Sequence, residues 1–338
     1  MPDSYQTPEL SLLPGPDPAR ESEPLGTKKL PVKGKQFRLA VLLFLCTLFT
    51  CITVGGAFLL GARTDVVTDL VPFLLPGTVV RVWTDPALLL WGLAYALPVL
   101  AILLAHELGH YLACRWYGLP ASPPYFLPSP FLLGTFGAFI RIRRVIRNKR
   151  ELFDVGVAGP IAGFLVLLPI LVYGVAHSIP TSIVLAPESP EAMFLTLPGD
   201  SLLYRALVFF FHGNLRAGEI LNPHPFVFAA WVGSFATMLN LLPLAQLDGG
   251  HILYAVAGRL QGRIAPILFG LLVAGGFLWP GWFFWAAIVL WLGLRHPPVV
   301  DEDQPLDRKR RWLAVAALAI FLLCFMPVPI SSIAIGVP

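Results

Sequence analysis

Residues 101–114, AILLAHELGHYLAC, place two histidines and a glutamate inside a run that is otherwise apolar. His106 and His110 are four residues apart, and Glu107 directly follows the first of them. Ionisable groups are costly at membrane depth, so those found within an apolar span are functional candidates by default. This stretch therefore predicts an apolar helix that carries a chemical site near one end.

The composition of the whole chain is that of an integral membrane protein. Hydrophobic residues make up 56% of its 338 residues and charged residues 13%, whereas soluble domains average about 45–50% and about 25%. A soluble globule of this size could not cover its surface with so few charges. The formal net charge is only +4, and no basic stripe is interleaved with aromatic residues. Disorder and nucleic-acid binding are therefore both disfavoured.

The cysteine pattern is not that of a disulfide framework. All four cysteines lie in or beside apolar runs, where free thiols pack as small hydrophobic groups. We therefore expect four buried free thiols, at Cys46, Cys51, Cys114 and Cys324.

Apolar runs of membrane-spanning length recur along the chain. Residues 39–62 are 24 consecutive residues without a charge, more than the roughly 20 that cross a hydrocarbon core of about 30 Å. Including this run we predict six or seven spans, because the two runs within 264–294 are short and are broken at Pro280-Gly281. The other runs are 87–118, 155–176, 226–247 and 312–333. The predicted fold class is an all-α polytopic membrane protein.

In the first half of the chain, lysine and arginine residues concentrate in two short segments, 28–38 and 141–150. Positively charged short loops stay on the cytoplasmic side of a membrane, so both segments are predicted to be cytoplasmic. The loops 63–86 and 177–225, which alternate with them, hold few basic residues. The later basic residues fall on the cytoplasmic side as well if the pair within 264–294 forms a hairpin; they are Arg259, Arg263, Arg295 and 308–311. We therefore predict a multi-pass protein of the cell (inner) membrane, with its N-terminus and its site on the cytoplasmic side.

Four parts follow from this pattern. Residues 1–37 are predicted to form a disordered cytoplasmic arm, because the first 27 are rich in proline, serine and glutamate. Residues 38–62 form the first transmembrane anchor. Residues 86–258 form the intramembrane core that carries the site, and residues 259–338 form the C-terminal transmembrane helices.

The spacing of the three polar residues suits a catalytic zinc site. Residues four apart share one helix face, so His106 and His110 can present imidazole nitrogens to a single Zn²⁺. Glu107 is rotated by about 100° from His106. From there it reaches a water on the metal without occupying a ligand position, which suits a general base. This is the H-E-x-x-H arrangement; the alternative is a polar cap at a helix end.

A catalytic zinc site normally has a third protein ligand, and three residues are candidates. Cys114 lies on the same helix face, but ligands at i, i+4 and i+8 would spread over about 12 Å of helix rise. Asp248 follows an apolar run at the same predicted membrane depth, and a carboxylate there needs a partner such as a metal. We expect Gly249 and Gly250 to permit the sharp turn that aims it. His251 is the rival ligand or a group that supports the site, and a solvated Asp248 is the alternative.

Residues 119–142 cannot continue the helix, because they contain five prolines followed by glycine, aromatic and β-branched residues. We predict a short membrane-associated β-hairpin or re-entrant segment after the H-E-x-x-H helix. The alternative is a cytoplasmic connector with turn residues.

Two motifs together carry a family resemblance. HELGH at 106–110, followed by NLLPLAQLDG at 240–249, resembles the site-2 protease family of intramembrane zinc metalloproteases. Between them, LGTFGAFIRI at 133–142 and FDVGVAGPIAG at 153–163 are similar to segments that flank the active site in bacterial and chloroplast members. The resemblance covers about residues 99–257.

The resemblance implies a site and an activity. The residues it identifies are His106, His110 and Asp248 as ligands of one Zn²⁺ per chain, Glu107 as the catalytic base, and Asn240 near the active site. The implied activity is hydrolysis of peptide bonds in or near transmembrane segments of membrane-anchored proteins, with release of a cytoplasmic fragment. The implied partners are a transmembrane substrate and the lipid bilayer, and not nucleic acid.

Several alternatives stay open at this point. Asn240 is a candidate for orienting the substrate or stabilising the oxyanion, and a hydrogen bond in helix packing is its alternative role. No PDZ-like module is expected, because the loop 177–225 is too short for one. The rival function is that of a non-proteolytic membrane protein, either an ion transporter or an inactive protease-like chaperone.

Overall fold

The computed structural model describes residues 34–64, 75–131, 133–182, 193–216, 218–294, 296–301 and 304–335. They belong to one compact unit that comprises Val32–Pro338. Most of the arm predicted at 1–37 lies outside the described residues, and residues 34–37 begin the first helix.

Helices make up most of the described chain, and the predicted all-α class of membrane protein is confirmed. The helices are α1 Gly34–Thr64, α2 Pro76–Thr84, α3 Pro86–Trp116, α4 Lys149–Ala176, α5 Leu202–His212, α6 Pro225–Asn240, α7 Asp248–Ala257, α8 Gln261–Gly275, α9 Gly281–Leu292 and α10 Arg308–Cys324. A 3-10 turn, Gly258–Leu260, joins α7 to α8.

Short strands form three separate two-stranded antiparallel sheets in the described chain. The pairs are β1 Tyr125–Pro128 with β2 Thr135–Phe139, β3 Ile179–Ser182 with β5 Glu219–Asn222, and β4 Met193–Pro198 with β6 Ile330–Ile335. Only the first of these pairs concerns the site.

Four segments of the described chain are long and apolar enough to cross a membrane. They are Gly34–Leu60, Pro86–Trp116, Lys149–Ala176 and Asp248–Gly275. The first three correspond to predicted spans. Helices α5, α6 and α9 are apolar but shorter, so the total of six or seven spans stays a prediction.

The C-terminal half differs from the predicted runs at two places. Helix α6 ends at Asn240, and a loop at 241–247 separates it from α7. The prediction of one continuous span over 226–247 is wrong, because Pro243 lacks a backbone N–H and disfavours helical geometry in the residue before it. The prediction of one continuous span over 312–333 is also wrong, because α10 ends at Cys324 and the prolines that follow exclude a helix, so the run ends in strand β6. The predicted pair within 264–294 does form two helices, α8 and α9, separated at 276–280.

Helix α3 lies at the centre of the unit and packs against α1, α4 and α6. Its contact with α4 is close because Gly109 faces the α4 backbone: a Cβ at this position would lie 2.4 Å from the carbonyl oxygen of Ala158. Small residues that allow backbones to approach are the usual means of helix packing in membranes. The centre of α3 is thus held at a fixed distance from α4.

A β-hairpin follows α3, as predicted for residues 119–142. Its strands β1 and β2 pair in an antiparallel manner, and Phe126 of β1 is buried against α1, with its ring 5.2 Å from that of Phe44. The hydroxyl of Thr50 donates to the carbonyl of Gly134 at 2.6 Å, and that of Tyr95 donates to the carbonyl of Leu133 at 2.9 Å. The hairpin turn is therefore fixed to both α1 and α3.

The cysteines are all free thiols, as expected. Cys51, Cys114 and Cys324 are buried, but Cys46 is exposed, so the prediction of burial is wrong for that residue. Cys46 shares the outward face of α1 with Leu42. An apolar stretch of a membrane helix presents some side chains to lipid, so apolar neighbours in sequence do not imply burial within the protein.

Candidate metal centre

Three side chains that are far apart in sequence meet between α3 and the start of α7. His106 Nε2 lies 3.1 Å from His110 Nε2 and 3.1 Å from Asp248 Oδ2. His110 Nε2 lies 3.3 Å from the same carboxylate oxygen. Both imidazoles are buried, and the Asp248 side chain is 15% exposed. The structure thus brings together the three residues that the sequence predicted as ligands.

The geometry of these three atoms fits a zinc ion. In a tetrahedral site with bonds of about 2.0–2.1 Å, ligand atoms lie about 3.3–3.4 Å from one another, close to the 3.1–3.3 Å seen between the three atoms. Two imidazole nitrogens and one carboxylate oxygen also match the donor types of catalytic zinc sites. Three protein ligands leave a fourth position for water or substrate.

The orientation of His110 is fixed by the backbone of α4. His110 Nδ1 lies 2.7 Å from the carbonyl oxygen of Val155. That carbonyl can only accept, so Nδ1 carries the proton, and the lone pair of Nε2 is directed at His106 and Asp248. Metal-binding histidines commonly use their second nitrogen in this way. The sequence did not reveal Val155 as a partner, because its contribution is a backbone group.

Space for the imidazole of His110 depends on a glycine in α4. A Cβ at Gly159 would lie 2.2 Å from His110 Nε2, a distance that real Cβ atoms do not adopt. Glycines in membrane helices usually permit close helix packing. At Gly159 the structure adds a more specific reason: the imidazole of His110 occupies the space that a side chain at position 159 would fill.

Asp248 is the first residue of α7. The expectation that Gly249 and Gly250 form a sharp turn is wrong, because both lie within the helix. They are needed instead for close approach: a Cβ at Gly249 would lie 2.1 Å from the carbonyl oxygen of Leu241. The turn that aims Asp248 is made earlier, in the loop 241–247, where Ala245 has a left-handed φ of 53°.

Two further predicted residues lie beside the three ligand atoms. The carboxyl of Glu107 faces the backbone of Ile140, just after strand β2. Asn240, the last residue of α6, places its Nδ2 3.4 Å from His106 Nε2. Asn240 thus lies within reach of the three-atom group, and Glu107 directly follows His106 on α3.

Two other candidates lie elsewhere. Cys114 is fully buried with Leu119 and Val155 in an apolar cluster, where it acts as a small hydrophobic group. His251 donates or accepts a hydrogen bond of 2.7 Å with His296 and does not belong to the three-residue group. Of the three candidates for a third ligand, Asp248 is the one that groups with His106 and His110.

Comparison with known proteins gives a family. The profile described as peptidase family M50 matches residues 94–274, which are more than half of the 338 residues. The chain belongs to peptidase family M50. The match confirms the resemblance to site-2 proteases.

Two curated relatives of the chain are plant proteins. The chain is 33% identical over 260 residues to the probable zinc metalloprotease EGY2, chloroplastic, of Oryza sativa subsp. indica, which covers 76% of this chain and 46% of that protein. It is 30% identical over 342 residues to the probable zinc metalloprotease EGY1, chloroplastic, of Arabidopsis thaliana, covering 93% of this chain and 58% of that protein. The chain thus spans about half the length of these relatives. No solved structure matches it at a significant level.

The M50 region contains the whole metal centre. His106, Glu107, His110, Asn240 and Asp248 all lie within residues 94–274. Helices α1 and α10 lie outside the region.

Proposed function

We propose that this M50 chain is an intramembrane zinc metalloprotease. Its substrate is a membrane-anchored protein, cut in or near a transmembrane segment. The observation that carries the proposal is the meeting of His106, His110 and Asp248 atoms at 3.1–3.3 Å on helices long enough to cross a membrane. The names of the plant relatives as zinc metalloproteases support it.

Each residue of the centre has a role in this reaction. His106, His110 and Asp248 would hold zinc, which when bound lowers the pKa of a water and polarises the scissile carbonyl. Glu107 takes a proton from the attacking water and passes it to the leaving amide nitrogen as the C–N bond breaks. Asn240 can donate from its amide to the substrate carbonyl oxygen as negative charge develops there.

Strand β2 is suited to hold the substrate beside Glu107. A helical substrate hides its carbonyls in its own hydrogen bonds, so it must become extended before it can be cut. Strand β1 packs on α1 through the buried Phe126, whereas Phe136 and Phe139 of β2 are exposed. The chain then passes Ile140, whose backbone contacts Glu107. An extended peptide added to the edge of β2 would lead towards the base.

The orientation we propose places the site on the cytoplasmic side of a cell membrane. Three basic or polar segments lie together. The Arg143 guanidinium donates to the side chain of Gln36, before the apolar part of α1, and the backbone N–H of Asp301 donates to the carbonyl of Arg147. Clusters of basic residues in short segments mark the cytoplasmic side. The fragment released from the substrate would accordingly be cytoplasmic.

The test separates zinc binding from proteolysis. Wild-type chain and the Glu107→Gln variant are reconstituted in lipid vesicles with a tagged single-span substrate, and zinc content and cleavage are measured. We expect both to bind about one zinc per chain, and cleavage in the variant to fall by at least about 100-fold, the scale of general acid–base catalysis. Glu219→Gln, in β5 away from the site, is the matched control and should cleave like wild type.

Two outcomes contradict the proposal. Cleavage that persists in Glu107→Gln would exclude the assigned base. Zinc binding by the wild type without cleavage of any candidate membrane-anchored protein would favour the inactive, chaperone-like alternative.

A further inference from the structure

A second cluster of charged side chains joins the ends of three helices on the side of the basic segments. Arg310, in the first turn of α10, donates from Nε and Nη2 to the two carboxylate oxygens of Asp154, at 2.9 and 2.5 Å. Its Nη1 donates to Asp307 at 2.5 Å. The hydroxyl of Tyr117, at the end of α3, donates to Asp154 and accepts from Arg310. The cluster therefore connects α3, α4 and α10.

The local needs of α10 do not explain this arrangement. Cations in the first turn of a helix oppose its macrodipole, and the other basic residues of the segment 308–311 suffice as a topology signal. The bond to Asp154 raises the pKa of the Arg310 guanidinium further above its usual value. Both side chains are at least three-quarters shielded, and removal of Arg310 would leave the Asp154 carboxylate with the Tyr117 hydroxyl as its remaining partner in the cluster.

The cluster is adjacent to the group that orients a metal ligand. Asp154 directly precedes Val155, whose carbonyl lies 2.7 Å from His110 Nδ1. Tyr117 ends the helix that carries His110, two turns later in the sequence. The ion pair thus connects the two elements that carry the partners of the His110 hydrogen bond, α4 through Asp154 and α3 through Tyr117.

We propose that Arg310 is a positioning residue for His110. By binding Asp154 and Tyr117, it holds the start of α4 against the end of α3, so that the Val155 carbonyl meets His110 Nδ1. The inference rests on the proposed function in that the group held by His110 is taken to be zinc. Arg310 lies beyond the M50-matched residues 94–274, so the C-terminal helix contributes to the metal centre from outside the family region.

The test measures zinc affinity, which does not depend on proteolysis. Zinc dissociation constants of wild type, Arg310→Ala, Arg310→Lys and Tyr117→Phe are determined in detergent by competition with a chelator. We expect Arg310→Ala to weaken zinc binding about tenfold, at the lower end of the range for groups that orient ligating histidines. Lysine, which cannot form the two-point bond, should recover part of the loss. Arg311→Ala, at the exposed neighbouring residue, should bind zinc like wild type.

A second control separates positioning from general stability. Leu306→Ala removes a buried side chain from the segment that leads into α10 without touching the ion pair. The melting temperatures of all variants are measured without metal. A zinc affinity of Arg310→Ala within twofold of wild type would overturn the proposal. It would also be overturned if Leu306→Ala, with the same melting temperature as Arg310→Ala, lost as much zinc affinity. If Arg310→Ala does not fold, Tyr117→Phe decides: we expect its zinc affinity to be weakened by more than twofold, and an affinity within twofold of wild type would overturn the proposal.

Failure of this inference is distinguishable from failure of the protease assignment. Weakened zinc binding in a chain that cleaves nothing would support the role of Arg310 while contradicting proteolysis. Unchanged zinc binding in an active protease would contradict the role of Arg310 alone.

Discussion

At the scale of single residues, the metal centre depends on the absence of a side chain at Gly159. A methyl group there would lie 2.2 Å from His110 Nε2, and the buried imidazole could avoid it only by leaving the zinc position. We expect Gly159→Ala to reduce zinc affinity and cleavage by at least about 100-fold, more than the loss from a group that only orients a ligand. Equilibrium dialysis with zinc and the vesicle cleavage assay measure the two effects.

The matched control for Gly159→Ala is Gly270→Ala. Gly270 is also helical, in α8, but an added Cβ would meet no atom within 4 Å. Zinc binding should be unchanged there, and stability should rise by about 0.5–1 kcal/mol, the usual preference of a helix for alanine over glycine. Normal zinc binding by Gly159→Ala would contradict the packing explanation.

The charge of Asp248 gives a second prediction at this scale. Asp248→Asn keeps the shape of the side chain but replaces an anionic ligand oxygen, which lies 3.1 Å from His106 Nε2, with a neutral amide. We expect zinc affinity to fall by more than about 100-fold, beyond the loss typical of groups that only support a ligand. Asp85→Asn, at the N-cap of α3, is the control, since asparagine also caps helices. Equal zinc affinity in Asp248→Asn and wild type would remove Asp248 from the ligand set.

At the scale of residues, the sequence predicts only those side chains whose ionisable groups stand out within an apolar run. His106, His110 and Asp248 could be found because ionisable residues are rare in apolar runs. The carbonyl of Val155 could not, because every residue has one. Asp154 did carry a signal, since a carboxylate at the edge of an apolar run requires a partner, but the sequence does not indicate that the partner is Arg310, 156 residues later.

At the scale of elements, the hairpin β1–β2 is fixed to the bundle by a few buried hydrogen bonds. Tyr95→Phe keeps the ring but removes the hydroxyl that donates to the carbonyl of Leu133 at 2.9 Å. We expect KM for a membrane-anchored substrate to rise about 2- to 10-fold, as for the loss of a bond worth about 0.5–1.5 kcal/mol, with zinc affinity unchanged. Steady-state cleavage in vesicles and zinc competition measure these two quantities.

The control for the hairpin is Tyr173→Phe, a half-exposed tyrosine in α4. Its ring stacks on His177 at the C-terminal end of α4, the end far from the metal centre. Neither KM nor zinc affinity should therefore change. A loss of zinc binding in Tyr95→Phe would show that the hairpin supports the metal centre rather than the substrate.

Elements were predictable where local chemistry excludes the alternatives. The prolines and glycines of 119–142 exclude a helix, which is why the hairpin could be expected. Hydropathy alone could not divide 226–247 into α6 and a loop, since the loop is itself apolar and contains buried residues such as Leu242 and Leu244. Pro243 was the available signal, and the tight turn at Ala245 had none.

At the scale of the whole molecule, the arrangement of basic segments predicts which side of the membrane holds the site. Val145 lies just before α4 and Ile179 just after it, and they are 72% and 66% exposed. In a chain whose four cysteines are replaced by alanine, each position is changed to cysteine and treated with an impermeant maleimide. We expect Val145→Cys to react in inside-out vesicles and Ile179→Cys in right-side-out vesicles, because positively charged loops stay in the cytoplasm.

The variants Val145→Cys and Ile179→Cys serve as controls for each other, because the two positions are similarly exposed and are expected to differ only in their side of the membrane. Labelling of both from one side would mean that α4 does not cross the membrane, against its 28-residue length. Reversed labelling would place Arg143, Arg147 and the metal centre on the outer side. The released fragment would then also be external, because the centre lies between α3 and α7 on the same side as the basic segment that precedes α4.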